Sequence, residues 1–288
     1  SNDLYQTAVA FEETFGGMRR GGGDLFLLQG LAALNLTFRC DIKDRNYDVL
    51  LVSPGGTGST SGFDFISQTF GIPYESMNNQ HDADFLKHVK YPSLREKMLL
   101  CNLKAKVIIY QFSDPTYALI SLFRRGFVNS HLSKLEPSYS ATQCTEGIGK
   151  QISTYATVRE GLLGLEPHWR SYVVGSYDHP IIFLRSDTRN MDKVRVALGH
   201  LLVTLNVTTP DRIHFSTSAV NIFANKRGPQ NYTVGNPIDE NSETYRAIND
   251  TYIVFKNELN KLGFLSFAFR GEVKTLPDNT YHRRYLQR

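Results

Sequence analysis

The sequence holds few of the residues that make cross-links, membrane spans or polyelectrolyte surfaces. It has only three cysteines, Cys40, Cys101 and Cys144. They stand far apart and no pair has metal-ligand spacing, so neither a zinc site nor a disulfide framework is indicated. The expectation is buried or free thiols in a reducing compartment, with a single disulfide plus one free thiol as the alternative. No apolar stretch approaches the roughly 20 residues of a membrane-crossing helix. No leader is visible, and Ser1-Asn2 reads as a remnant of tag removal. Cysteine usage and the missing leader favour the cytoplasm, with the secretory lumen open if the chain has been trimmed. Long runs of like charge are missing, as is a basic stripe with interleaved aromatics, which speaks against a nucleic-acid partner. No repeat or low-complexity segment occurs. Four N-x-Ser/Thr sequons, at Asn35, Asn206, Asn231 and Asn249, are read as chance matches.

What is present is ordinary for a globular protein: 41% hydrophobic and 12% aromatic residues and a net charge of +4 over 288 residues. The mild basicity suits an anionic small ligand without choosing one. A chain of this length buries a core without needing disulfides or metals, and no metal site is expected.

The first clear element is Tyr47-Asp48-Val49-Leu50-Leu51-Val52-Ser53, an apolar run that reads as a strand buried on both faces. Pro54-Gly55-Gly56-Thr57-Gly58-Ser59-Thr60-Ser61 follows, then a helical segment from Phe63 to Phe70. A second strand, Lys106-Val107-Ile108-Ile109-Tyr110-Gln111, leads through Asp114-Pro115 into a helix from Thr116 to Phe127. A third, Pro180 to Arg185, precedes a helix from Met191 to Leu205, and a last helix from Glu243 to Leu262 is closed by Gly263. Strands alternating with helices predict an α/β fold with a mainly parallel central sheet flanked by helices. Residues 1–46 read as an N-terminal embellishment packed on a main domain at 47–288. Trp169, Tyr172 and Tyr177 read as core aromatics.

Strand, glycine-rich loop and helix in succession bring backbone N–H groups and the positive end of a helix dipole to one place. Glycine removes the Cβ that would keep an anion away, and Ser59, Thr60 and Ser61 add hydroxyls. The loop is neither G-x-x-x-x-G-K-[ST] nor G-x-G-x-x-G. A plain turn is the competing reading.

Several segments carry a resemblance. Residues 54–60 are similar to the P-K-S-G-T-T loop of sulfotransferases that use 3′-phosphoadenosine 5′-phosphosulfate (PAPS), with one residue inserted. Leu86-Lys87-His88-Val89 stands where those proteins carry K-T-H-L-P. Ile109 through Arg125 resembles the strand leading into R-D-P-R-D-A-L-V-S-L-Y-R-R, and His179 through Asp187 the V-L-F-L-R-Y-E-D strand. Asn225-Lys226-Arg227-Gly228 lies where R-K-G stands in cytosolic members.

The resemblance implies a P-loop-like sulfotransferase architecture and transfer of a sulfuryl group from PAPS to a hydroxyl or amine on a small-molecule or glycan acceptor. It implies that Gly55, Gly56, Thr57, Gly58, Ser59, Thr60 and Ser61 hold the 5′-phosphosulfate. Ser113 and Ser121 would lie at the 3′-phosphate, closed over by Lys226, Arg227 and Gly228. His88 would be the general base, with Lys87 beside it. The chain departs from the pattern at two places. Gly55 or Gly56 replaces the loop Lys or Arg, and Ser113 replaces the Arg that grips the 3′-phosphate. Lys87, Lys90, Arg124 and Arg125 are the nearby cations. A catalytically impaired binding or structural protein of the same family is the alternative. His81 is a second candidate base, with loop structure as its expected role.

Overall fold

The structure, a computed structural model, describes residue 40 and residues 42–124, 165–188, 191–214 and 243–275. One five-stranded sheet runs through them in the order β1 (Asn46–Val52), β2 (Lys104–Phe112), β3 (Ile181–Arg185), β4 (Leu265–Phe269), β5 (Glu272–Thr275). Six α-helices lie among the described residues: α1 (Ser59–Phe70), α2 (Tyr91–Leu100), α3 (Pro115–Arg124), α4 (Leu165–Gly175), α5 (Met191–Thr204) and α6 (Glu243–Lys261).

The three strands read from the sequence are parallel neighbours. β4 pairs antiparallel with β3, and β5 antiparallel with β4. The sheet is therefore mixed, and the expectation of a mainly parallel one is corrected. Gly263, at φ +64°, ends α6 and turns the chain into β4, which enters the sheet beside β3 from the opposite end to the first three strands.

Side chains of the first three strands alternate between two apolar layers. Leu50, Val52, Ile108, Tyr110, Ile181 and Phe183 face one layer with α2, α3, α4 and α6. Val49, Leu51, Val107, Ile109, Ile182 and Leu184 face the other with α1 and α5. Cover on both faces explains why these strands are apolar along their length. Trp169 and Tyr172 belong to the first layer as expected, whereas Tyr177 is 63% exposed, which corrects its reading as core.

Cys40 and Cys101 form a disulfide, tying the segment before β1 to the end of α2. The expectation of free thiols is overturned for this pair. The ranges 1–39 and 125–164 lie outside the described residues, and with them Cys144 and most of the N-terminal embellishment.

Chain order reverses around β1. On its inner side β1 pairs with β2, and on its outer side Val49 makes a parallel bridge to Met77. From β1 the chain passes through α1 to the Met77 side, then through α2 to β2 on the other side. Successive connections thus leave in opposite directions at β1. In open α/β sheets such a reversal opens a crevice at the carboxyl ends of the strands, where ligands bind.

Candidate functional site

The glycine-rich loop stands at the carboxyl end of β1. β1 ends at Val52 and α1 begins at Ser59, so residues 53–58 make the turn. Gly55, Gly56 and Gly58 have φ of 89°, 70° and 69°, the left-handed region that side chains with a Cβ avoid. At Gly56 a second constraint applies: a Cβ there would stand 2.1 Å from the Ala118 carbonyl oxygen of α3. The loop therefore lies flat on α3, a contact only glycine allows. Ser121, also buried, is about one turn beyond Ala118 on the same helix.

Two donors fix the loop's orientation. The Thr57 carbonyl accepts from Gln111 Nε2 and from Ser186 Oγ, both at 2.9 Å, and these residues stand at the carboxyl ends of β2 and β3. Carbonyl and N–H oppose each other across a trans peptide. With the Thr57 carbonyl turned into the sheet, the Gly58 N–H is directed away from it. Not every loop amide turns outward, since the Gly55 N–H donates to Ser53 Oγ at 3.3 Å. α1 then opens with Gly58 as its cap, no side-chain cap and no acidic residue in its first turn. Ser59 and Thr60 are first-turn residues, whose N–H groups have no acceptor within a helix. The positive end of α1 thus meets no carboxylate from its own turn. Ser59 and Ser61 are buried, whereas Thr60 is exposed.

Lys87 and His88 arrive from the connection between Met77 and α2. That connection is irregular but held by its own side chains. Asp84 accepts from the Asn79 N–H at 2.6 Å, Asn79 Oδ1 from the His81 N–H at 2.8 Å, and Asp82 Oδ1 from the Lys87 N–H at 2.9 Å. Burial pushes the Asp84 carboxyl above the usual range. His81 is exposed and serves this turn through its backbone.

Beyond the turn the segment docks on the end of β1, where the Ser53 N–H donates to the Lys87 carbonyl at 2.8 Å. Lys87 is 4% exposed. Its Nζ donates to the Gln80 carbonyl at 2.6 Å, lies 3.4 Å from Thr60 Oγ1 in the first turn of α1, and sits over the Phe63 ring at 5.5 Å. His88 is buried, and its Nδ1 lies 2.8 Å from the Ser53 carbonyl. A carbonyl only accepts, so Nδ1 carries a proton, and in the neutral ring the basic lone pair is then on Nε2. A cation and an imidazole thus stand at the mouth of the glycine loop, brought there by residues 27 or more positions away in sequence.

Ser113 lies at the junction of β2 and α3, 4% exposed, and its Oγ meets no partner among the described residues. The next residue, Asp114, caps α3 by accepting from the Thr116 N–H at 2.9 Å and pairs with Lys256 Nζ of α6 at 2.8 Å. A cation therefore does stand one residue from Ser113, already matched by a carboxylate. Sequence reading gave no signal for it, since Lys256 is one of many surface-type residues on α6.

Against the loop lies a small hollow of about 10 Å³, lined by Pro54, Thr57, Ser113, Ala118, Trp169 and Phe255 among others. It is almost wholly apolar and has room for about one water molecule, so it is too small to hold a nucleotide. The structure brings Gly55 through Ser61, Lys87 and His88 to one end of the sheet, with Ser113 at the junction of β2 and α3 and Ser121 within α3. Lys226, Arg227 and Gly228 lie outside the described residues, as does Arg125. Among the described residues no group of His, Cys, Asp or Glu is placed to hold a metal, and no helix is long and apolar enough to cross a membrane. No family model, curated protein or solved structure matches the chain.

Proposed function

We propose that the chain is a group-transfer enzyme that holds a phosphate-bearing nucleotide on residues 55–61 and moves a sulfuryl group from PAPS to a hydroxyl or amine of a small-molecule or glycan acceptor. The observation that carries this reading is the position of Lys87 Nζ, 3.4 Å from Thr60 Oγ1 at the start of α1. Sulfotransferases place a Lys or Arg within the loop, and glycine stands there in this chain. Lys87 puts a positive charge at the same end of the helix from a different segment, where it would neutralise the bridging oxygen as the sulfur–oxygen bond breaks. His88, with Nε2 as its basic nitrogen, would take the acceptor's proton. A P-loop-like arrangement of the sheet belongs to the same reading, supported by the chain reversal at β1 and the glycine turn after it.

The test is binding of the desulfated product, 3′-phosphoadenosine 5′-phosphate, by calorimetry, together with transfer of labelled sulfuryl from PAPS to a panel of acceptors. Micromolar binding that weakens on loss of Lys87 is expected. No heat at millimolar ligand would overturn the proposal.

A second reading is favoured by Ser113, which by the resemblance replaces the Arg that grips the 3′-phosphate and adjoins Asp114, already paired with Lys256. On that reading the domain binds an anion without turning it over. Binding of the product with no transfer to any acceptor would select it.

A further inference from the structure

We propose that the chain matures in an oxidising secretory compartment and that Asn206 carries an N-linked glycan there. The inference is independent of which ligand the glycine loop holds, and two separate features lead to it.

The first is the Cys40–Cys101 disulfide. Disulfides form and persist in secretory and extracytoplasmic settings and are rare where glutathione keeps thiols reduced. The second is the setting of the Asn206-Val207-Thr208 sequon. Asn206 is exposed, in the turn that follows α5. Its φ of 54° is left-handed, a conformation asparagine tolerates better than most residues. Its backbone is committed, with its N–H donating to the Val203 carbonyl at 3.0 Å and its carbonyl accepting from Lys106 Nζ at 3.0 Å. The side chain makes no hydrogen bond among the described residues, so a sugar on Nδ2 displaces nothing. Thr208 is buried, its hydroxyl on the Phe70 carbonyl at 2.7 Å. That does not oppose the reading, because the hydroxyl is needed while the chain is still unfolded.

Position in the fold fits as well. Lys106 lies near the start of β2, so Asn206 sits at the amino end of the parallel strands. The glycine loop sits at their carboxyl end, and a glycan on Asn206 leaves that mouth clear. Asn249 has a sequon too, but it is only half-exposed in the middle of α6, and its Oδ1 accepts from Lys256 Nζ at 3.1 Å. A glycan there would disturb the lysine that pairs with Asp114.

The chemistry is a plain group transfer. A new bond joins Asn206 Nδ2 to the anomeric carbon of the oligosaccharide, the bond from that carbon to a lipid pyrophosphate breaks, and the amide proton passes to a base of the host transferase. No oxidant takes part. Making the disulfide is separate: two thiols give up two electrons and two protons to a thiol–disulfide oxidoreductase of the compartment.

The test takes the protein from the cells that make it, with thiols blocked on lysis, and maps its peptides by mass spectrometry. Peptide N-glycosidase in heavy-oxygen water should leave a labelled aspartate at position 206, with the Cys40 and Cys101 peptides linked. A bare Asn206 overturns the glycan whatever the cysteines show, and a bare Asn206 with both thiols reduced overturns the compartment too. A second measurement uses the full chain secreted from a eukaryotic host. N206D, which suits the left-handed turn, should lose the glycosidase-sensitive mass shift, and T208S, which keeps sequon and hydroxyl, should retain it. A shift that persists in N206D places the sugar elsewhere and sinks the assignment.

Discussion

The side chain of Asn78 makes both of the hydrogen bonds that a neighbouring strand would offer Leu51. The Leu51 N–H donates to Asn78 Oδ1 at 2.8 Å, and Asn78 Nδ2 donates to the Leu51 carbonyl at 3.0 Å. A strand edge is left open where Met77 makes its single bridge, and one amide closes it. Both groups are buried, so removing Asn78 orphans a donor and an acceptor at once. Each orphan costs about 1–3 kcal/mol. N78A should therefore lose about 2–4 kcal/mol by urea denaturation. N78D should lose at least as much, because a carboxylate cannot donate to the Leu51 carbonyl. A loss below about 1 kcal/mol in both variants would refute this role.

Gly56 is the loop position with the least latitude. Alanine there combines a left-handed φ, which costs about 1–2 kcal/mol, with a Cβ 2.1 Å from the Ala118 carbonyl oxygen. G56A should either unfold the domain or lift the loop off α3 and weaken nucleotide binding at least tenfold. Thermal melts with and without 3′-phosphoadenosine 5′-phosphate separate the two outcomes, and wild-type behaviour in both would show that the loop does not rest on α3.

Lys87 and His88 should fail differently. K87M removes a charge-assisted contact worth about 1.5–3 kcal/mol, so affinity for the donor product should fall roughly 10- to 100-fold. H88N keeps an N–H for the Ser53 carbonyl but has no basic nitrogen. It should bind the nucleotide normally and lose roughly 100- to 10,000-fold in turnover. Calorimetry and single-turnover transfer check each arm. Equal losses in affinity for the two variants would remove the division of labour.

His168 makes stability depend on pH. It is fully buried against Tyr110, whose hydroxyl lies 3.1 Å from its Nδ1, and burial, helped by the charge of Lys90, lowers its pKa to about 3. The unfolded chain takes up this proton near pH 6.5 and the folded one only near 3. Stability owed to the neutral ring is therefore complete above pH 6.5 and lost as pH falls toward 3, at up to about 1.4 kcal/mol per pH unit. His179, also lowered by burial, adds in the same direction. Urea titrations between pH 7 and 4 should show this slope in the wild type and a shallower one in H168N.

The disulfide closes a long loop, with a sequence separation of 61. Chain-entropy reasoning assigns such a loop about 4 kcal/mol. The double variant C40A/C101A should lose up to that amount, and reductant should lower the melting temperature of the wild type while leaving the double variant unchanged.

Three strands, the glycine turn and the helices after them were legible because each is written locally. Val49-Leu50-Leu51-Val52 and Val107-Ile108-Ile109-Tyr110 are apolar on both faces, and Gly263 marks the end of the last helix, where its φ is left-handed. α2 was not legible. It buries only Tyr91, Leu94 and Met98, too thin a stripe to stand out. β4 and β5 were missed for another reason: Leu265-Ser266-Phe267-Ala268-Phe269 can be read as extended, but nothing in it states a partner or a direction. Among the cysteines, spacing carried no pairing information at all.

The sequence by itself determined an α/β domain with a glycine turn after its first buried strand, because periodicity, glycine and chain order are properties of neighbouring residues. Only the tertiary structure decided that Lys87 reaches Thr60, that His88 is held by Ser53, that Cys40 meets Cys101, and that β4 runs against β3. Each of these depends on how far the chain travels before it returns. That distance follows from the packing of whole helices on the sheet, which no local pattern records.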